Sequence, residues 1–256
     1  MRLHALGCYG GEAPGCHQTS LLVDGRLLLD AGSVTAALPL DSQAVIDQVL
    51  VSHSHLDHIA ALAFIADNLS TVRTKPIEVW SIAPVIRHLR THVFNGIIWP
   101  DFTTIPSPRN PILSFHEIRE GQPQRIGGYE VMAVRVNHTV EATGYLVSDG
   151  EASILFQGDS GPTEELWKVA NAASRLQAII VETSYPNRLQ DLADASGHLT
   201  PQTLRAELTK LTADAPIYAQ HLKPQFISDL VRELAELSDP PVAILEQGKE
   251  YSFSAP

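Results

Sequence analysis

The chain has 256 residues, 44% hydrophobic and 18% charged, which is typical of a globular protein with one large domain or two small ones. Its net charge of −11 and its lack of basic runs argue against a broad surface for nucleic acid or for an anionic membrane. No apolar run approaches the ~20 residues of a membrane span. The N-terminus lacks the apolar segment of a signal peptide, so a cytoplasmic location is expected. Cys8 and Cys16 are expected as reduced thiols, with a short disulfide between them as the alternative.

The predicted elements begin with strands and later alternate between strands and helices. Apolar runs predict strands at 2–6, 19–23, 26–30, 48–53, 76–82, 112–118, 129–138, 142–148, 153–159, 177–183, 215–221, 241–247 and 250–254. Helices are predicted at 59–69, 83–94, 163–174, 200–211 and 224–237, and a proline-rich loop at 103–111. No repeat or linker divides the chain, so we expect a single domain over 1–256. This order favours two sheets covered by helices on their outer faces.

A dense group of metal-binding residue types ends the predicted strand 48–53 and continues past it, in the sequence HSHLDH. Neutral imidazole is the commonest protein ligand for zinc-type ions. In an extended chain residues i and i+2 point to the same side, so His53 and His55 can reach one ion. Asp57 and His58 lie at the turn into the next helix and can face a second ion. A polar loop that happens to be rich in histidine is a poor alternative, because buried histidines need partners.

Two ions need further ligands, which we expect at other strand ends. His138, Asp159 and His221 are each the first ligand-type residue after a strand-like run, where open α/β frameworks build their sites. For any one of them alone, a surface or capping role is an equal alternative. Taken with the HSHLDH group, the three residues favour ligand roles.

A family resemblance rests on these residues. HSHLDH resembles the HxHxDH signature of the metallo-β-lactamase superfamily, and His138, Asp159 and His221 match its remaining metal motifs in order. The resemblance extends over residues 3–253. It implies an α/β fold, the four-layer αββα sandwich, with a dinuclear metal centre at one edge of the sheets.

The same resemblance implies how the ligands divide between two divalent metal ions. One ion would be held by His53, His55 and His138, the other by Asp57, His58 and His221, and Asp159 would bridge both. Asp30, which ends an early strand, matches a residue that supports such a site without binding the metal. Nitrogen and oxygen ligands without a thiolate suit zinc, the expected metal, with manganese and iron as alternatives.

Within the superfamily, several segments resemble class II cyclic-nucleotide phosphodiesterases. This resemblance implies hydrolysis of 3',5'-cyclic nucleotides, with cAMP as the first candidate substrate and cGMP as the second. The matching segments are HSHLDHIAALAFIADN (53–68), FNGIIWPDF (94–102), ETSYP (182–186), SGHLTPQTLRAEL (196–208) and QHLKP (220–224).

The expected centre suits a phosphodiester. Two divalent ions outweigh the charges of Asp57 and Asp159, so the site stays positive and can bind a monoanion. A water bridging two metals is expected to be hydroxide near neutral pH and to attack phosphorus in line. By resemblance to related phosphodiesterases, His198 in SGHLTP is the predicted general acid, and Glu182 is the acid that orients it and raises its pKa. The structural alternatives are a helix-start residue for His198 and a strand-end acid for Glu182.

The FNGIIWPDF loop offers candidate substrate contacts. Trp99 could stack on a purine, and Asn95 could hydrogen-bond to a base edge. A homodimer interface or local core is an equal alternative for this loop. The remaining histidines are predicted to be structural or exposed: His4, His17, His88, His92 and His116.

Three other functions are alternatives to that of a cyclic-nucleotide phosphodiesterase. A tRNA 3'-processing endonuclease of the same superfamily also uses a Glu–His pair, but its Gly/Pro-rich arm has no room between His138 and Asp159, and the negative net charge is wrong for tRNA. A thioester, lactone or β-lactam hydrolase is disfavoured by the SGHLTP segment together with Glu182. A metal sensor or degenerate scaffold is disfavoured because every expected ligand is present. The predicted partner is a small cyclic nucleotide. Neither a nucleic acid nor a membrane is expected as a partner.

Overall fold

The computed structural model describes residues 1–254. Its strands are, in chain order, β1 (Arg2–Gly7), β2 (Ser20–Val23), β3 (Leu27–Leu29), β4 (Gln48–Leu50), β5 (Ile77–Ser81), β6 (Pro106–Ser107), β7 (Asn110–Pro111), β8 (Leu113–Glu117), β9 (Gln124–Ile126), β10 (Tyr129–Arg135), β11 (Thr143–Ser148), β12 (Ser153–Phe156), β13 (Leu176–Glu182), β14 (Ile217–Gln220), β15 (Val242–Ile244) and β16 (Glu250–Ser252). Its α-helices are α1 (Val34–Ala37), α2 (Leu40–Gln43), α3 (Leu56–Leu69), α4 (Ala83–His88), α5 (Glu165–Ala172), α6 (Gln190–Ser196), α7 (Pro201–Leu208) and α8 (Ile227–Leu234). None of the helices within residues 1–254 combines the length and the apolar character that crossing a bilayer requires.

Two seven-stranded sheets share the same mixed topology. The first has the order β16–β1–β2–β3–β4–β5–β8, and the second has the order β15–β14–β13–β12–β11–β10–β9. In the first sheet the pairings from β16 to β3 are antiparallel and those from β3 to β8 are parallel. In the second sheet the pairings from β9 to β12 are antiparallel and those from β12 to β15 are parallel. Each sheet therefore joins an antiparallel half to a parallel half.

Alternating side chains along the strands build two cores. In β13, Ala178 and Ile180 join a core that contains residues of both sheets, whereas Ile179 and Val181 face α5, α7 and α8 in a second core. Buried residues of α1, α3 and α4 pack against the first sheet. The order helix, sheet, sheet, helix confirms the predicted four-layer αββα sandwich.

Both cysteines are buried free thiols. The Cys8 thiol donates a hydrogen bond to the carbonyl oxygen of Leu245 at 3.3 Å. Burial is the main cause that raises the pKa of Cys8 to about 12, helped by the nearby Cys16. A thiol with so high a pKa is a packing group and not a nucleophile.

The structure departs from the predicted elements in short segments. The predicted helix 83–94 is α-helical only in α4 and continues as the π-helical turn Leu89–Val93. The predicted loop 103–111 contains the hairpin of β6 and β7. Helix α6 does not stand out in the sequence and ends at Gly197, whose φ of 68° is left-handed. Elements this short have too few residues for a hydrophobic period to be visible.

One edge of the sandwich collects the carboxyl ends of strands from both sheets. β3 and β4 are parallel neighbours in the first sheet. β12, β13 and β14 are parallel neighbours in the second, and β10 shares their direction because two antiparallel steps separate it from β12. Residues that follow these strands therefore meet at the same edge.

The loop between β1 and β2 crosses the end of β14 at this edge. The Gly10 amide donates to the carbonyl oxygen of Leu222 at 3.2 Å, and the His221 amide donates to that of Cys8 at 2.7 Å. A Cβ on Gly10 would lie 2.5 Å from His221 Nδ1 and 2.6 Å from the His221 carbonyl oxygen. Non-bonded atoms do not approach so closely, so glycine at this position lets the loop close over His221.

We predict that Gly10→Ala lowers the free energy of unfolding by roughly 1–3 kcal/mol, since the added methyl group must displace His221 or the loop. Gly11→Ala is the matched control, because its Cβ would lie 3.4 Å from Pro224, an ordinary contact, and its expected change is within about 0.5 kcal/mol. Urea unfolding of both variants measures the difference. Equal unfolding free energies for the two variants would contradict a tight contact at Gly10.

Candidate metal centre

The HSHLDH segment changes from extended to helical in its middle. Helix α3 begins at Leu56, and His55 precedes it in an extended conformation. His53 and His55 therefore lie on an extended segment, whereas Asp57 and His58 lie in the first turn of a helix. The change of period turns these two pairs of side chains toward different positions at the edge of the sandwich.

The first group of ligand-type atoms combines both sheets. His53, His55, His138 and Asp159 each offer one such atom, and these atoms lie within 4.8 Å of one another. The His138 Nε2 to His55 Nδ1 distance is 3.1 Å. The His53 Nε2 to Asp159 Oδ2 distance is 3.7 Å.

The second group shares Asp159 with the first. Asp57, His58, Asp159 and His221 also offer atoms within 4.8 Å of one another. His58 Nε2 lies 3.2 Å and His221 Nε2 lies 3.3 Å from Asp159 Oδ2, and 3.3 Å separates His221 Nε2 from Asp57 Oδ2. The structure thus brings all the predicted ligands together, in the two sets that the resemblance implies.

The spacing and burial of these atoms fit two divalent ions. Tetrahedral ligands at about 2.0–2.1 Å from a zinc ion lie about 3.3 Å from one another, close to the distances in both groups. His53 Nε2 and Asp159 Oδ1 are buried without a hydrogen-bond partner within residues 1–254. A buried polar atom without a partner is costly, and a bound cation would satisfy both. The donors are nitrogen and oxygen only, which suits zinc, manganese or iron.

Burial and neighbouring charges set the protonation of two of the donors. Burial, together with the neighbouring His58, lowers the pKa of His53 well below its usual value, so this ring is neutral and can bind a metal. Burial by itself opposes ionisation of Asp159, but the rings of His221 and His58 outweigh it and hold the Asp159 pKa well below that of an ordinary aspartate. Asp159 is therefore a carboxylate in the middle of the two groups.

Asp30 supports the site from outside the two groups. Its Oδ2 lies 2.7 Å from His58 Nδ1 and accepts from the Ser52 hydroxyl at 2.7 Å, and its Oδ1 accepts from the Ser52 amide at 2.7 Å. These bonds fix His58 with Nε2 toward the metal position, a role typical of the partners of metal-binding histidines. Asp30 and His221 both have left-handed backbones, with φ of 56° and 64°, an uncommon conformation that recurs at functional sites.

Glu182 and His198 form a buried pair next to the candidate metal ligands. His198 Nδ1 lies 2.8 Å from Glu182 Oε1. The His198 ring centroid lies 5.1 Å from that of His138 and 5.5 Å from that of His221. Burial lowers the pKa of His198, but the Glu182 carboxylate outweighs burial and raises it above its usual value. His198 is therefore more easily protonated than a free imidazole and lies beside the candidate centre, with Nε2 on the ring edge opposite the contact to Glu182.

Asn95 and Trp99 lie in a loop against α3. The Asn95 side chain accepts from the amides of Ile97 and Ile98, each at 2.9 Å, and donates to the carbonyl oxygen of Thr91 at 3.0 Å. Trp99 packs edge-on against Phe64 with 5.4 Å between ring centroids, and its Nε1 is buried without a partner within residues 1–254. These contacts give both side chains a structural role in the loop and do not join them to the ligand groups.

Two further residues, Lys223 and Ser184, lie at the site and were not predicted from the sequence. Lys223 Nζ lies 4.0 Å from Asp57 Oδ2, and its side chain is 18% exposed. The Ser184 hydroxyl lies 2.9 Å from His221 Nδ1 and 3.0 Å from Glu182 Oε2. Both residues stand in segments that carried the family resemblance, QHLKP and ETSYP, but a search for metal-ligand types passes over lysine and serine.

A groove of about 540 Å³ lies beside His138. This volume is within the usual range for small-molecule sites. The cations that line it are paired with carboxylates: Arg135 binds Glu120 at 2.9 Å, and Lys210 binds Glu164 at 2.6 Å. The groove therefore offers room for a small ligand but no unbalanced positive track for a polyanion.

Known proteins resemble this chain in sequence and in fold. The family model described as "Beta-lactamase superfamily domain" matches residues 25–221. A probable 3',5'-cyclic-nucleotide phosphodiesterase of Yersinia pestis is 27% identical, over 97% of this chain and 88% of that protein. Unliganded yeast PDE1 has a TM-score of 0.80 at 19% identity, over 97% of this chain and 98% of that one. The short form of human tRNase Z has a TM-score of 0.73 at 17% identity, over 99% of each chain. With its ligand motifs gathered at one edge of an αββα sandwich, this chain belongs to the metallo-β-lactamase superfamily.

Proposed function

We propose that the chain hydrolyses 3',5'-cyclic nucleotides to 5'-monophosphates, with cAMP as the first candidate substrate and cGMP as the second. The observation that carries hydrolysis of a phosphodiester is the buried Glu182–His198 pair beside the candidate metal ligands. A sugar alkoxide is a poor leaving group that needs a proton, and a buried imidazole with a raised pKa can supply one. The likeness to the Yersinia phosphodiesterase, over nearly the whole length of both chains, supports the same substrate class.

In this proposal the chain's own residues hold the metals and move one proton. The two groups that share Asp159 would hold two divalent ions, with zinc as the expected metal. Bound there, the ions would supply an activated water nucleophile and would stabilise charge on the phosphoryl oxygens. As the new bond to phosphorus forms and the bond from phosphorus to the 3'-oxygen breaks, His198 donates its Nε2 proton to that oxygen. Glu182 keeps the ring oriented through Nδ1.

The charge of the surroundings favours a small phosphodiester over RNA. The net charge is −11, and the cations of the groove beside His138 are neutralised by neighbouring carboxylates. Between His138 and Asp159 the chain forms β11 and β12, so this segment holds no projecting arm. Lys223 Nζ lies 4.0 Å from Asp57 Oδ2, a longer distance than those of the paired groove cations, so Lys223 is available to one phosphate group.

We predict that the zinc-loaded protein converts cAMP to 5'-AMP and that its metal content is close to two ions per chain. Chromatography of the products from cAMP, cGMP, bis(p-nitrophenyl) phosphate and a precursor tRNA checks the substrate class, and elemental analysis checks the metals. The paired cations of the groove lead us to expect no cleavage of the tRNA. Activity on the precursor tRNA alone, or on a thioester added as a control, would overturn the proposal.

We predict that His198→Ala keeps both metal ions and loses roughly 10²–10⁴-fold in kcat, because it removes the proton donor. Activity should fall as the pH rises through the raised His198 pKa, since the acid must be protonated. Glu182→Gln removes the carboxylate that raises this pKa, so the alkaline limb of the kcat profile should move to lower pH. Loss of a metal ion from His198→Ala would instead identify His198 as a ligand.

We predict that Lys223→Ala weakens binding of both 5'-AMP and inorganic phosphate by roughly tenfold, the loss of about 1.4 kcal/mol from a charge-assisted contact. If Trp99 stacks on the base, Trp99→Ala weakens the binding of 5'-AMP but not the binding of phosphate. Lys249→Ala, in an exposed pair with Glu246, is the control and should change neither affinity. Calorimetric titration compares the variants. Unchanged phosphate affinity in Lys223→Ala would exclude the phosphate contact, and unchanged AMP affinity in Trp99→Ala would exclude stacking.

A further inference from the structure

Each end of the His221 ring has a distinct set of partners. Nε2 faces the shared site, 3.3 Å from both Asp57 Oδ2 and Asp159 Oδ2. Nδ1 points away from these carboxylates and lies 2.9 Å from the Ser184 hydroxyl. A ring that binds a metal through Nε2 carries its proton on Nδ1, so Ser184 Oγ accepts a hydrogen bond from His221.

The same hydroxyl also reaches the Glu182–His198 pair. Ser184 Oγ lies 3.0 Å from Glu182 Oε2, whereas Glu182 Oε1 lies 2.8 Å from His198 Nδ1. His198 Nδ1 is farther from the hydroxyl, at 3.2 Å, so the carboxylate is its nearer partner. A serine hydroxyl has one proton to donate, and Glu182 Oε2 is the acceptor whose charge favours it. Glu182 therefore holds His198 with one oxygen and His221, through Ser184, with the other.

A second serine makes the same kind of link on the other side of the centre. Ser52 Oγ lies 3.0 Å from His53 Nδ1 and donates to Asp30 Oδ2 at 2.7 Å. The same Asp30 oxygen lies 2.7 Å from His58 Nδ1. The Ser52 link therefore ends on a carboxylate that serves another metal ligand, whereas the Ser184 link ends on the carboxylate that serves the general acid.

Resting on the proposed function, we propose that Ser184 is a positioning residue that couples the metal ligand His221 to the Glu182–His198 pair. Ser184, Glu182 and His221 are fully buried, so water does not replace a lost hydroxyl. Without it, Glu182 Oε2 and His221 Nδ1 lose their bridge, and the orientation of His198 no longer depends on the metal ligand. The coupling matters only where a leaving group needs a proton.

Substrates with different leaving groups therefore separate the role of Ser184 from that of Ser52. Ser184→Ala and Ser52→Ala each remove one hydroxyl beside a metal-binding histidine, but only the first touches the acid pair. The zinc-loaded variants are assayed on cAMP and a dinucleoside monophosphate, whose leaving groups are alkoxides, and on bis(p-nitrophenyl) phosphate, whose leaving group departs without a proton. Zinc content is measured in parallel. Ser184→Thr retains a hydroxyl, and Ser184→Cys keeps the side-chain size with a poorer donor.

For Ser184→Ala we expect kcat on the alkoxide substrates to fall roughly 10–100-fold, because His198 is no longer held in position to donate its proton, and kcat on bis(p-nitrophenyl) phosphate to fall far less. Ser184→Cys should repeat this selective loss if the alanine variant fails to fold, and Ser184→Thr should restore activity. Ser52→Ala should lower kcat on all the substrates by one common factor. Equal losses on both kinds of leaving group in the Ser184 variants would overturn the coupling. Wild-type protein inactive on cAMP but active on the dinucleoside monophosphate would overturn the proposed substrate while leaving the Ser184 comparison intact.

Discussion

The constraint on which the site depends is the burial of ligand-type atoms around Asp159. This carboxylate is almost inaccessible, lies between His58 and His221, and has one oxygen without a hydrogen-bond partner within the described chain. Metal binding requires neutral His58 and His221 rings, and with these rings neutral the buried Asp159 carboxylate has no counterion, which is unfavourable by several kcal/mol. The fold tolerates this arrangement because the same pocket presents two sets of donors with the spacing of metal ligands. Cation binding is thus what makes the arrangement of the strand ends favourable.

A layer of hydrogen bonds outside these donors fixes which ring nitrogen faces the candidate metal positions. Asp30 holds His58, and the carbonyl oxygen of Gly197 accepts from His138 Nδ1 at 2.9 Å. Gly197 ends α6, one residue before His198, so the helix end positions a candidate metal ligand and the candidate acid together. Orientation of the ligands and placement of the acid therefore depend on the same few backbone segments.

Much of the site could be predicted from sequence because its ligands follow apolar strands. The carboxyl ends of parallel strands meet at one edge, so the first ligand-type residue after each strand is a good candidate. His138, Asp159 and His221 illustrate this logic, and the fold gathers them with the HSHLDH segment. Ser184 and Lys223 could not be predicted in this way, since serine and lysine occur throughout the chain and only their neighbours in space distinguish them. The hairpin of β6 and β7 was missed for a related reason: two-residue strands have no visible hydrophobic period.

In the proposed reaction, water attacks the phosphorus of a cyclic nucleotide while the 3'-oxygen leaves with a proton. Hydrolysis of cAMP in ¹⁸O-labelled water, followed by mass spectrometry of the product, reports which bond breaks and where the oxygen of water enters. The expected product is 5'-AMP with one ¹⁸O atom in its phosphate and an unlabelled 3'-hydroxyl. Formation of 3'-AMP, label in the ribose hydroxyl, or the absence of labelled 5'-AMP from the fully metal-loaded protein would contradict it.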